Sequence, residues 1–100
     1  MRDIAKLTKQ LGNEDSAMRQ SAAELLGGTA DETAIDALIP VLKDENRFVR
    51  QEAVLALQKI GGSRAVEHLT QALDTEENEF VTGSIRMALE RLRSKESASP

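Results

Sequence analysis

Residues 49–69, VRQEAVLALQKIGGSRAVEHL, contain the pattern that decides the fold. Before Gly61 the apolar residues recur at intervals of three and four, which predicts an amphipathic helix, and the same spacing starts again at Ser63. Glycines at 61 and 62 readily adopt the positive φ angles with which a helix ends. The stretch therefore predicts two helices joined by a short turn.

The same arrangement recurs along the chain. Leu11, Leu42 and Leu73 lie 31 residues apart. Equivalent apolar residues precede each of them, namely Leu7, Leu38 and Leu69, and Ile4, Ile35 and Val66. A fixed period of this length is typical of stacked repeats, in which each unit buries an apolar face against its neighbour. The period therefore predicts three stacked units.

Apolar periodicity and break residues predict six helices, at about 2–11, 14–26, 32–43, 45–60, 63–73 and 76–93. Pro40 falls inside the third and predicts a kink, because proline removes a helical hydrogen bond. The fourth has the richest apolar set, which includes Phe48, and we expect it at the centre of the core. Met18 and Leu25 of the second helix are also predicted to point inward.

Helix ends are predicted from residue type. Asn13, Asp44 and Thr75 share the repeat spacing and can cap the helices that follow them. Asp31 is predicted to cap the third helix, and Gly27-Gly28 to end the second.

Composition favours an all-α protein and excludes several functions. Ala and Leu dominate the apolar residues, only two residues are aromatic, and there is no cysteine. Disulfides and thiolate metal sites are thereby excluded. A formal net charge of −4 argues against a dedicated nucleic-acid binder. No signal peptide or membrane-spanning segment is predicted, so we expect a cytoplasmic protein. We also expect a monomer.

The last unit differs from the others where a further repeat would pack. With one inserted residue allowed, Arg86 takes the place of Ala23 and Val54. A charged residue there predicts that the stack ends, since terminal repeats need a polar outer face. We expect a repeat domain at residues 1–93 and a disordered tail at residues 94–100, which has no apolar run.

Residues 22–35, AAELLGGTADETAI, and the opening stretch 49–69 resemble HEAT-like repeats of the phycobilisome-lyase type. The resemblance extends over about residues 2–92. It implies a right-handed α-solenoid of helix pairs, with the second helix of each pair on the concave side. It also implies bonds between units from an acidic or Asn residue and a following Arg, here Asn13 with Arg19 and Asp44 with Arg50. Thr75 and Thr82 replace this pair in the third unit, so the ladder is expected to end at two units.

Two enzyme families share the resemblance. Deoxyhypusine hydroxylase binds iron through His-Glu pairs at the start of the first helix of its repeats, whereas this chain has Gln20-Ser21 and Gln51-Glu52 there. His68 is the only histidine, so no metal site and no cofactor are predicted. Phycobilin lyases and related chromophore-handling proteins are the second case, and the absence of Trp and Tyr leaves few groups to stack on a tetrapyrrole.

The resemblance therefore implies a non-catalytic scaffold that presents a concave helical surface to another protein. The alternative is an accessory subunit of a phycobilin or other chromophore lyase. The helical wheel places on that surface Arg2, Lys6, Lys9, Thr33, Asp36, Ala37, Pro40, Arg64, Glu67, His68 and Gln71. We expect weak binding because this set lacks the aromatic anchors of binding hot spots.

Overall fold

The computed structural model describes the backbone of residues 4–98 and the side chains of residues 4–95. This part of the chain is helical and contains no strand, as predicted. The helices are α1 Ile4–Gln10, α2 Ser16–Gly28, α3 Thr33–Leu38, the 3-10 helix Ile39–Lys43, α4 Arg47–Ile60, α5 Ser63–Ala72 and α6 Glu79–Ala98.

The helices form two layers. In the outer layer α4 lies between α2 and α6, while α1, α3 and α5 form an inner layer that packs against it. The repeated leucines occupy matching environments: Leu7, Leu38 and Leu69 are buried, and Leu11, Leu42 and Leu73 are half-buried against the core. Each apolar face is thus covered by its neighbours, which makes the fold an α-solenoid.

The outer helices begin two or three residues later than predicted, each directly after or next to a capping residue. Asp15, Asn46 and Asn78 accept hydrogen bonds from the first backbone N–H groups of α2, α4 and α6. The predicted caps Asn13 and Asp44 instead accept the N–H groups of Asp15 and Asn46. In the third unit Glu76, rather than Thr75, does the same for Asn78. Each outer helix therefore begins after a short polar turn, which was predicted to be part of the helix.

Two predicted breaks have different outcomes. The α-helix ends at Leu38 and a 3-10 helix that contains Pro40 follows it, so the third helix is interrupted there, while the kink stays a prediction. Gly27, predicted as a helix end, lies within α2 and is buried. A Cβ atom built on it would lie 2.7 Å from the Cα of Ala56 in α4. Gly27 therefore permits the close approach of α2 and α4, and Thr29 caps the helix instead.

Arginine residues connect each outer helix to the turn before the next one. The Arg19 guanidinium donates to both carboxylate oxygens of Asp44 at 2.9 and 3.2 Å, and Arg50 does the same to Glu76 at 2.8 and 3.2 Å. Both also donate to backbone carbonyl groups of their own unit. The prediction that this ladder ends at two units is wrong, because the residue inserted in the third unit moves the acid from position 75 to Glu76.

Several apolar side chains predicted to be buried lie at the surface. Phe48 is 52% exposed on the outer side of α4. Met18 and Leu25 are also exposed. Their equivalents one repeat later, Val49 and Ala56, are buried because α2 packs beside them. In the described part of the chain no outer helix precedes α2, so Met18 and Leu25 are not covered in the same way.

The C-terminal helix is longer than predicted. It continues through Ser94 to Ala98, where we expected the tail to begin, and residues 99 and 100 lie outside the described part. The division into a repeat domain and a tail stays a prediction.

Candidate binding surfaces

The residues predicted to bind a partner lie on the inner layer. Among those described, His68 and Ala37 are half-buried and the others are exposed: Lys6, Lys9, Thr33, Asp36, Pro40, Arg64, Glu67 and Gln71. Arg2 lies outside the described residues. The helical wheel thus identified solvent-facing positions, which leaves their role in binding a prediction.

One pair on this face is joined directly. The Arg64 guanidinium donates a hydrogen bond to the carboxylate of Asp36, connecting α5 to α3. This bond, together with the positive charge of Arg64, lowers the pKa of Asp36 and raises that of Arg64. Since both side chains are largely exposed, water screens the pair and its contribution to stability is small.

A groove of about 340 Å³ lies between the 3-10 helix and α5. We call it the inner groove. Its lining residues are Ile39, Leu42, Lys43, His68, Gln71, Ala72, Asp74 and Thr75. Ile39, Leu42 and Ala72 are half-buried and apolar, while Lys43, Gln71 and Asp74 are exposed and polar. The helical wheel placed His68 and Gln71 on the binding surface but not Lys43 and Leu42. It treats the third helix as regular through Pro40, whereas the chain forms a 3-10 helix there.

A second exposed surface lies on the outer layer, on the neighbouring helices α4 and α6. Phe48 and Phe80 occupy equivalent positions at the start of these helices, and Leu55 and Met87 follow two turns later. We call these four residues the outer stripe. The Arg47 guanidinium carbon lies 4.8 Å from the centre of the Phe48 ring and 5.9 Å from that of Phe80. Arg47 thus connects the two rings through cation–π contacts.

Glu52, on α4 of the outer layer, is a titratable group in an unusual environment. Partial burial, followed by the negative charge of Glu24, raises the pKa of its carboxyl group, although a hydrogen bond from Gln20 and the charge of Lys59 oppose this. Since the folded state then holds a proton to higher pH than the unfolded chain, stability falls as pH rises from the ordinary pKa of a glutamate through the raised value.

We therefore expect Glu52→Gln to raise the melting temperature near pH 7, because glutamine carries no charge to desolvate and still accepts a hydrogen bond from Gln20. At about pH 3, where glutamate is protonated in both states, the two proteins should melt within about a degree of each other. Thermal unfolding followed by circular dichroism at both pH values measures this. Glu90→Gln, at an exposed site on α6, is the control. A gain for Glu52→Gln that does not depend on pH would contradict the assignment.

The described residues contain neither a metal-ion cluster nor a membrane-crossing helix. No three His, Asp or Glu side chains among them converge in a way that could hold a metal ion. None of the described helices combines the length and the apolar character needed to cross a bilayer.

The chain is similar to two characterised proteins along most of its length. It is 33% identical over 89 residues to the bilin biosynthesis protein MpeU of Synechococcus sp. (strain WH8020). The aligned region covers 88% of this chain and 30% of MpeU. The structure superposes on human deoxyhypusine hydroxylase, solved in complex with glycerol, with a TM-score of 0.84 and 28% identity. That match covers 97% of this chain and 35% of the hydroxylase. The chain thus spans about a third of the length of either protein.

These similarities correct one expectation. The sequence had led us to predict that the protein is not an enzyme. The human protein is a hydroxylase and the cyanobacterial one is named for biosynthesis, so similar proteins take part in catalysis and the prediction is contradicted.

The family itself is established by the repeats. Residues 4–90 match the HEAT repeat family model. The match includes the helices of both layers from α1 to most of α6, together with the arginine ladder that joins the units. The chain belongs to the HEAT repeat family.

Proposed function

We propose that this HEAT domain is a binding scaffold that holds a partner protein on its inner layer, at the inner groove. The observation that carries the proposal is the groove itself, where half-buried apolar side chains lie beside Lys43, His68 and Asp74. Binding sites in proteins commonly combine an apolar floor with a few polar groups that orient the ligand.

The surroundings of the groove favour a protein partner of mixed charge. Lys6, Lys9 and Arg64 lie on the same layer as Asp36 and Glu67, so neither sign dominates. A partner with alternating charges can pair with such a surface, and complementary charge favours the correct partner over others. The Asp36–Arg64 pair also joins α3 to α5 on this layer.

Filling the groove should remove binding. Gln71→Trp places a large side chain at an exposed position that lines the groove, and Thr70→Trp places the same side chain at the neighbouring exposed position of α5, which is outside it. Both variants and the unaltered protein would be used to capture partners from an extract of the source organism, with quantitative mass spectrometry as the readout. We expect Gln71→Trp alone to lose the captured proteins, by about tenfold. Equal capture by both variants would reject the inner groove.

A second function, in bilin handling, is favoured by the same groove together with the similarity to a bilin biosynthesis protein. A linear tetrapyrrole has an extended apolar ring system and carboxylate side chains. Ile39, Leu42 and Ala72 offer an apolar surface for part of it, and Lys43 offers a cation for a carboxylate. In this function the chain would act as an accessory subunit of a phycobilin or other chromophore lyase.

Biliverdin is a suitable probe, because its visible absorption changes when a protein holds it in one conformation. We expect saturable spectral changes with the unaltered protein, and weaker binding by about tenfold for Lys43→Glu, which puts a negative charge beside the carboxylates. An unchanged spectrum throughout the titration would reject bilin binding and leave the protein-binding proposal standing.

A further inference from the structure

The outer stripe is an apolar surface that the inner-layer function does not use. Phe80 is 74% exposed, Met87 55% and Leu55 37%, in addition to Phe48. Phenylalanine side chains are normally buried in cores or interfaces, and they contribute much of the energy of both. Four large apolar residues on two neighbouring helices therefore indicate an interaction surface.

The spacing of the stripe fits a helix. Phe48 and Leu55 are seven residues apart on α4, as are Phe80 and Met87 on α6, so each pair lies on one side of its helix, two turns apart. Two such rows on neighbouring helices form two parallel apolar ridges. An amphipathic helix that packs on such a surface uses apolar residues at i, i+3, i+4 and i+7.

The charge around the stripe is opposite in sign to that of the whole protein. The chain has a formal net charge of −4. Arg50 belongs to the ladder, and Arg86 and Arg93 lie on the side of α6 where a further repeat would pack. Without these three, α4 and the side chains of α6 up to Lys95 carry four cations against three carboxylates. The cations are Arg47, Lys59, Arg91 and Lys95, and the carboxylates are Glu52, Glu79 and Glu90. A partner that complements this surface is acidic.

The cations also lie at the two ends of the stripe. Arg47 is in contact with the rings of Phe48 and Phe80, at the end where the positive poles of the α4 and α6 dipoles also lie. Lys59 and Arg91 follow Leu55 and Met87 by one helical turn. Beyond Met87, a groove of about 550 Å³ lies between Gln58 of α4 and the side chains of α6 that include Arg91 and Lys95.

We propose that the outer stripe binds an acidic amphipathic helix of a partner protein. Its apolar side packs on Phe48 and Phe80 at one end and on Leu55 and Met87 at the other. Its carboxylates pair with Arg47 at the first end and with Lys59 and Arg91 at the second. This surface is separate from the inner groove, so the two can be occupied at once.

The proposal can be tested with two labelled peptides. Both are designed as amphipathic helices with leucines at i, i+3, i+4 and i+7, one with glutamates and the other with lysines on its polar flanks. Fluorescence anisotropy gives the affinity of each for the full chain. We expect the acidic peptide to bind about tenfold more tightly than the basic one, and this difference in affinity should decrease at high salt. Binding of the acidic peptide should also shift the backbone amide NMR signals of α4 and α6. Equal affinities, or shifts confined to the inner layer, would overturn the proposal.

Variants identify the residues responsible. Phe80→Ala and Arg47→Glu should each weaken binding of the acidic peptide by about tenfold. Met18→Ala, which alters an exposed apolar residue of α2 outside the stripe, and Gln71→Trp in the inner groove should leave it unchanged. Full binding by Phe80→Ala would overturn the proposal. So would a dimer in sedimentation that this variant dissociates, since the stripe would then bind a second copy of the chain.

Discussion

Replacing Arg50 with alanine should lower the free energy of unfolding by about 3 kcal/mol. The Glu76 carboxylate that Arg50 pairs with is only 6% exposed. Without the guanidinium it would keep the N–H of Asn78 as a donor but lose both charged hydrogen bonds, at 2.8 and 3.2 Å. The carbonyl oxygen of Asp44 would lose its bond from Arg50 as well. Urea unfolding followed by circular dichroism measures the change.

The exposed pair Arg64–Asp36 is the matched control. Its side chains are 52% and 70% exposed, so Arg64→Ala should leave the urea midpoint nearly unchanged. A double variant, Arg50→Leu with Glu76→Leu, should recover most of the stability, because it removes the unpaired buried charge along with the arginine. If Arg50→Ala and Arg64→Ala had the same small effect, the ladder would contribute little to the stacking of units.

The fold was predictable because one period determined it. Leucines at a spacing of 31 residues can share an environment only if the units that carry them stack, and Leu7, Leu38 and Leu69 are all buried. The positive φ angles of Gly61 and Gly62 were predictable for a similar reason, since they follow an unbroken apolar pattern. The repeat period thus indicated which residues share an environment, which the apolar pattern of a single helix cannot do.

Contacts between units were less predictable. Arg19 reaches 25 residues forward to Asp44, and Arg50 reaches 26 forward to Glu76. No local pattern specifies such a bond, and the extra residue in the third unit made Thr75 look like the end of the ladder. Phe48 was misplaced for a related reason. Its hydrophobicity predicted burial, but it lies on the side of α4 that faces away from the inner layer, and the helix has enough other apolar residues to form the core.

The candidate sites were predicted only as far as the helical wheel allowed. It identified the exposed residues of the inner layer, because exposure depends on the angle around a regular helix. The inner groove required the change from α-helix to 3-10 helix at Pro40, which brings Ile39, Leu42 and Lys43 beside α5. The outer stripe required knowing that α4 and α6 are neighbours, as the contact of Arg47 with Phe80 makes plain.

Gly27→Ala should destabilise the protein by about 3 kcal/mol, although alanine is the better helix former. The added Cβ atom would lie 2.7 Å from the Cα and 2.8 Å from the Cβ of Ala56, well inside normal contact distance. Ala56 cannot rotate out of the way, because its Cα belongs to the backbone of α4, so α2 and α4 would have to separate. Urea unfolding of the variant measures the loss.

Gly83→Ala provides the comparison, because both glycines lie within outer helices and differ in their surroundings. A Cβ atom at Gly83 would meet no atom within 4 Å. This variant should therefore gain the helix propensity of alanine and raise the free energy of unfolding by about 1 kcal/mol. If Gly27→Ala also stabilised the protein, α2 and α4 could not lie as close together as they do here, and the contact with Ala56 would not be what selects glycine. Opposite signs for the same chemical change would establish that the distance between outer helices, rather than helix propensity, selects glycine at position 27.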